Sequence, residues 1–407
     1  MGRAGRGVGS AVGLRPGRES GPPATFVELF FDLVMVFALT RLAAEAVPGL
    51  SSMSLPGRWL TMGETLLLFL PLTWVWTITS YVTARFEPMR LGVQLAVLAS
   101  AFGLLMMGTA VPYAFSGRGL TFALAYVALQ VGRTLLFGLL LRGHALQRLY
   151  ARACIWFCVG AVPWLVGALA QPGGRVLLWS LAIAIDLGSA RLGWPVPGLG
   201  RGRAAAWSVG GHHLADRYKQ FLIIALGEGV LTIGVSYTRG SSSPSPYRTV
   251  GLVLAFLTTV LLWRIYFFRA GQILPDAVTA SKDRASFGRH VAFAHLTMIF
   301  GIVATAIGYE LVQRHPNRDA HPAWLAVILG GPALYVVGRA RLEWAVFGRV
   351  SAPRIIGVTV LALLAVPLLF VPPLAAAGAA TLVLLFIALA DARRAAGRPP
   401  EPPAPVT

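Results

Sequence analysis

The chain has 407 residues, of which 56% are hydrophobic and 13% charged. Soluble domains carry about 25% charged residues, so this composition excludes an ordinary water-soluble fold and implies a chain that lives in a bilayer. The net charge is +19, but no nucleic-acid motif accompanies it, and nucleic acid is not an expected partner.

Residues 1–24, rich in Gly, Arg and Pro, read as a disordered basic N-terminal arm. A basic start before an apolar run resembles a secretory signal, but the run is too long and carries two acids, so no cleavage is expected. Apolar stretches of roughly 20 residues then recur to the end of the chain, the pattern of membrane-crossing helices. Twelve are expected, over residues 25–47, 60–83, 91–112, 119–141, 151–170, 175–193, 217–238, 249–269, 290–312, 323–341, 354–371 and 373–391. The fold class is thus an all-α, polytopic transmembrane helix bundle. The expected division is a first six-helix half over 25–205, a second over 206–392, and a short cytoplasmic Pro-rich tail over 393–407.

Of the 35 Lys and Arg residues, 33 fall in loops or at helix ends, and only Arg41 and Arg133 lie well within spans. With the N-terminus in the cytoplasm, 26 of the others fall in inner segments and 7 in outer loops. That is the positive-inside bias, and it predicts an inner (plasma) membrane protein with both termini cytoplasmic. Two pairs of segments look alike. "WTITSYVTARFEP" (76–88) matches "WRIYFFRAGQILP" (263–275), and "RLGVQLAVLASAFG" (90–103) matches "RHVAFAHLTMIFG" (289–301). They point to two parallel six-helix repeats, with chance similarity between aromatic-rich helices as the competing reading. Cys154 and Cys158 lie one turn apart on one helix, where a disulfide is poorly placed, and read as small core residues.

Ionisable groups inside spans carry the most information. A carboxylate at mid-bilayer costs about 2.5–3.5 kcal/mol on insertion scales. Glu28 and Asp32 sit one turn apart in span 1, with Asp186 in span 6 and Glu228 in span 7. Arg41 lies nine residues after Asp32, on the opposite side of the helix. Its partner is Glu45 or an acid on another span, and it is a candidate counter-charge. Span 7 opens with "HHLADR" (212–217), where His212, His213, Asp216 and Arg217 form a candidate cytoplasmic-side polar cluster. Two histidines and one acid fall short of a metal-ligand pattern, so neither metal nor cofactor is expected. Gly227 and Gly229 flank Glu228 and give a helix or ligand room to approach. Trp76, Trp263 and Tyr266 read either as an interfacial belt or as the wall of a cavity facing these acids.

With "VELFFDLVMVFALT" (27–40) and "HLADR…FLIIALGE" (213–228) together, the chain resembles the bacterial low temperature requirement protein A family. Glu28, Asp32, His213, Arg217 and Glu228 match that family's pattern. Asp216 stands where the family usually has Glu, Arg41 where Gln is expected, and Gly229 where Ser is expected. The resemblance implies a multi-pass membrane protein linked to growth in the cold; it supplies no reaction.

The expected function is ion- or proton-linked transport of a small solute through a polar cavity between spans 1 and 7. Glu28, Asp32, Glu228 and Asp186 would be the ion- or substrate-binding groups. The expected partners are the lipid bilayer and a small solute or cation. Two other readings stand beside it: an intramembrane lipid-modifying enzyme using the His213/Asp216/Arg217 cluster, and a non-catalytic membrane scaffold.

Overall fold

The computed structural model describes residues 25–51, 54–202, 211–238, 245–268, 273–396 and 401–406, without the side chains of residues 211, 212, 284 and 285. The expected arm over 1–24 therefore lies outside the described residues. The described chain is all-α: α1 (Phe26–Leu50), α2 (Leu55–Arg85), α3 (Leu91–Ala110), α4 (Gly119–Leu140), α5 (Gln147–Leu169), α6 (Pro172–Arg191), α7 (Gly211–Thr238), α8 (Pro246–Phe267), α9 (Leu274–Ala280), α10 (Arg284–Arg314), α11 (Pro322–Ile328), α12 (Gly330–Phe347), α13 (Ala352–Leu364) and α14 (Pro373–Ala395). Proline occupies the first turn of α6, α8, α11, α13 and α14, where its missing N–H costs nothing and its fixed φ suits the helix.

Among the described residues, ten helical segments are long and apolar enough to cross a membrane, with α11 and α12 counted as one. The two expected spans outside these ten are α1 and α13. α1 has 25 residues but spreads Glu28, Asp32, Arg41 and Glu45 along its length. The stretch expected to cross at 354–371 is not one helix. α13 has 13 residues and gives way to a 3-10 turn at Pro367–Phe370. At 1.5 Å per residue α13 reaches about 20 Å, short of the roughly 30 Å hydrocarbon core. Pro367 ends the run that composition alone reads as continuous.

The chain divides into two compact units. One comprises residues 1–38 and 70–214, the other residues 39–69 and 215–407. In the first unit α3, α4, α5 and α6 pack in sequence, each on the next. Arg175, at the start of α6, binds them. Its Nε and both Nη groups donate to the carbonyls of Gly167, Ala168 and Ala170 at the end of α5 and of Ala114 and Ser116 after α3, at 2.8–3.3 Å. One buried guanidinium thus satisfies carbonyls that two helix ends leave open. Arg152 is also buried and donates to Leu199 O at 3.2 Å.

In the second unit α10 and α12 share the most extensive contact, α8 lies against α14, and α13 joins α12 to α14. α10 and α12 approach through glycine. A Cβ on Gly301 would meet Tyr335 N at 2.6 Å, and one on Gly331 would meet Thr305 N at 2.6 Å. Such backbone proximity is how membrane helices gain dispersion energy where burial from water gains nothing. Arg339, 1% exposed, donates to Ile265 O at 3.0 Å and Phe268 O at 2.7 Å, while Tyr335 donates to Leu262 O at 2.6 Å. Together they close the C-terminus of α8. Arg175, Arg152, Arg339 and Arg354 were all assigned above to topology; the structure buries them as helix-end and ion-pair partners.

The tail after α14 is also tied down in this unit. Ala404 N–H donates to Val346 O at 2.9 Å, Glu401 pairs with Arg349 at 2.5 Å, and Gly348 ends α12 in the left-handed conformation at φ 69°.

Two histidines in the α10–α11 connection flank Trp324, His315 just after α10 and His321 just before α11. His315 stacks on its ring at 5.1 Å, and His321 meets it edge-on at 5.0 Å. Partial burial, and then the cations of Arg318 and Arg314, hold the His315 imidazole below its ordinary value of 6.5. Burial and Arg58 do the same for His321, against a smaller opposing pull from Asp319. Both rings therefore bind protons more weakly folded than unfolded. Their contribution to stability is complete above pH 6.5 and is lost as the pH falls below that value. The melting temperature in detergent is expected to decline on acidification through that range, and the decline should shrink in His315→Gln/His321→Gln. An identical acid limb in the double variant would contradict this.

Candidate functional site

The first unit holds the opening of α1. Thr25 precedes the first helical turn, and Glu28 reaches back to it. Glu28 Oε2 accepts the Thr25 backbone N–H and hydroxyl, each at 2.9 Å. This is the carboxylate half of a capping box, which fixes where α1 begins. The same oxygen lies 3.4 Å from His213 Nε2, and Glu28 is wholly buried. Asp32 follows at i+4, on the same face of the helix. It too is wholly buried, and its Oδ1 accepts the indole N–H of Trp76 at 2.9 Å. Four of the residues singled out from sequence thus meet in two pairs, Glu28 with His213 and Asp32 with Trp76.

Asp186 anchors a second polar chain in this unit. Its Oδ2 accepts from Tyr126 Oη at 2.7 Å and from Trp164 Nε1 at 3.3 Å. Gln130 donates to Tyr126 Oη at 3.3 Å. Arg133 donates to Gln130 Oε1 and, at 2.8 Å, to Thr79 Oγ1. The chain runs from α6 through α5 and α4 to α2, where Thr79 lies one turn after Trp76. Gly160 makes room for it, since a Cβ there would stand 2.6 Å from Asp186 Oδ1. Arg133 is thus held by neutral side chains.

In the second unit Glu228 is 5% exposed and accepts from Thr232 Oγ1 and Thr40. Gly227 and Gly229 stand beside open space: a Cβ on either meets nothing within 4 Å. They do not serve close helix contact, as the sequence had allowed, and the room beside Glu228 is left over. Arg41 is half-buried and close enough to Glu45 to interact electrostatically. Asp216 faces outward and pairs with Lys219 at 3.2 Å, whereas Arg217 is 1% exposed and donates to Gln220 at 3.5 Å. His213, Asp216 and Arg217 therefore have three different surroundings, and the side chain of His212 lies outside the described residues. Among the described residues no three His, Cys, Asp or Glu side chains gather as a metal would require.

Tyr266 is wholly buried, and its hydroxyl lies 2.8 Å from His295 Nε2. His295 Nδ1 faces Val291 O at 2.7 Å. A carbonyl only accepts, so Nδ1 carries the proton, and in the neutral ring Nε2 accepts from Tyr266. Tyr218 stacks on the imidazole at 4.6 Å. Trp263, aligned with Trp76 in the repeat comparison, is 48% exposed, whereas Trp76 is 0% exposed. The two occupy unlike environments.

Sequence reasoning passed over Tyr126, Gln130 and Trp164, and considered His295 only beside the histidines that open span 7. The available signal was a polar residue within an apolar span, which singles out Gln130. Nothing in one dimension marks Tyr126 or Trp164.

A sequence model of the bacterial low temperature requirement A protein (LtrA) family matches residues 23–389. The chain is also 34% identical over 333 residues to an uncharacterized protein of Rhizobium meliloti (strain 1021), covering 80% of this chain and 78% of that one. No solved structure matches it.

Proposed function

The chain belongs to the bacterial low temperature requirement A protein family, and from that footing we propose that it is a proton- or cation-linked membrane transporter of a small solute. The observation that carries this reading is the inner face of α1. Two wholly buried carboxylates stand one turn apart there, with an imidazole set against the first and an indole N–H against the second. Acids at membrane depth are costly and mark ion or proton paths when they face the protein interior. A carboxylate in contact with an imidazole can pass a proton on, because either group can hold it. Asp32, one turn deeper, accepts the Trp76 indole N–H through Oδ1. Glu228, set against two threonine hydroxyls, is the matching acid of the second unit. The working orientation puts both termini in the cytoplasm.

The test is proton entry into proteoliposomes after an imposed pH step. Wild type should exceed empty vesicles, and Glu28→Gln and Asp32→Asn should each fall to the empty-vesicle rate. Undiminished entry in both variants would remove these residues from the mechanism.

A further inference from the structure

A groove of about 670 Å³ runs between α4 and α5 on the outside of the first unit. Its walls are Leu135 and Leu139 on α4 and Ile155, Val159 and Val162 on α5, all exposed. Its floor is cut by small residues, Gly138, Ala151, Cys154 and Cys158. Cys158 is exposed, so this thiol is not the core residue that its apolar setting implies; it faces the groove. A Cβ on Gly138 would meet nothing within 4 Å, so the recess is unfilled at that point.

The groove has direction. Along α5 it extends from Val162 to Gln147, a rise of about 22 Å at 1.5 Å per residue. That exceeds half of the roughly 30 Å hydrocarbon core and so matches one leaflet with its headgroup level. At the Gln147 end lies the α4–α5 connection, where Arg142, His144 and Arg148 are all exposed. No Asp or Glu occurs from residue 119 to residue 185. Glu87, beside the Phe86 that packs on Phe137 and Tyr150 at this end, is itself paired with Arg90, so the balance here is positive. An apolar channel one leaflet long that opens onto two exposed arginines complements an acyl chain joined to an anionic headgroup.

We propose that this groove binds an acidic phospholipid, one acyl chain lying between α4 and α5 and the phosphate resting against Arg142 and Arg148. The site is independent of the α1 acids, and its occupant comes from the bilayer rather than from solution.

Native mass spectrometry of the purified full-length protein, titrated with phosphatidylglycerol and separately with phosphatidylcholine, tests this. Wild type should retain phosphatidylglycerol with a preference of roughly tenfold or more, the scale that two arginines near a lipid surface supply. Arg142→Gln/Arg148→Gln should abolish the preference. Gly138→Leu, which fills the recess without meeting backbone, should lower retention of both lipids. Equal retention of the two lipids by wild type would overturn the proposal, as would a preference that survives both variants. So would efficient oxidative cross-linking of two copies through Cys158 in bilayers, because a second copy would then cover the groove.

Discussion

Replacing Arg354 by Ala is expected to destabilise the protein by about 3–5 kcal/mol, the cost of leaving a buried charge without its partner. Arg354 and Asp391 are each 2% exposed and meet in a two-pronged pair, with Nη2–Oδ2 at 2.8 Å and Nη1–Oδ1 at 3.1 Å. Glu343 stands 3.1 Å from the same guanidinium, and Ser351 is bonded to both residues. The cluster fastens α13 to α12 and α14, and α13 has only 13 residues with which to hold its place. Planar guanidinium geometry matters here, so Arg354→Lys should recover only part of the loss. Removing the two-pronged pair in Arg354→Met/Asp391→Leu should cost less than either single change, because only the less deeply buried Glu343 then loses its partner. Unfolding in detergent, followed by helical circular dichroism, measures all four proteins. A single variant as stable as wild type would show that the pair is not buried as described.

The second large effect is expected at Gly301. A Cβ there meets the backbone of α12, Tyr335 N at 2.6 Å and Gly331 O at 2.8 Å. Backbone cannot rotate away as a side chain can, so Gly301→Val must drive α10 and α12 apart. Overpacking of this kind costs about 1–3 kcal/mol and occasionally more. The upper end is expected here, because Tyr335 and Arg339 on the displaced helix also hold the end of α8. Gly132→Ala is the control. It sits in α4 with nothing within 4 Å and should be stabilising by about 0.5–1 kcal/mol, the ordinary gain of Ala over Gly in a helix. The same unfolding measurement separates the two, and equal behaviour would contradict close backbone packing at Gly301.

The helices were legible because each needs only its own neighbours. An apolar run is a property of its own stretch of chain. That Glu28 and Asp32 face protein or water rather than lipid was expected from the cost of acids in an apolar run. Glu28, near the helix end, was read as reaching headgroups without a special partner, whereas it is wholly buried against His213. What one dimension hid was pairing across helices. Tyr126 and Asp186 are 60 residues apart, Tyr266 and His295 29, and Arg354 and Asp391 37. Arginine misled for the same reason. At a helix end a topology signal and a carbonyl-capping guanidinium look alike, and only the fold shows that Arg175 and Arg339 are capping groups. At Gly227 and Gly229 no neighbouring helix fills the space, so of the two uses the sequence allowed them close helix contact is not the one seen, in contrast to Gly160 and Gly301.

The central claim is that the carboxylates on α1 work rather than merely pack. The measurement that tests it most directly is Asp32→Asn alone, assayed for proton entry and for melting temperature on the same reconstituted preparation. Asparagine keeps the shape and still accepts the Trp76 N–H through its carbonyl, so folding should be nearly unchanged. The account predicts a melting temperature close to wild type with proton entry lost; entry at the wild-type rate, or loss of folding in step with loss of entry, would contradict it.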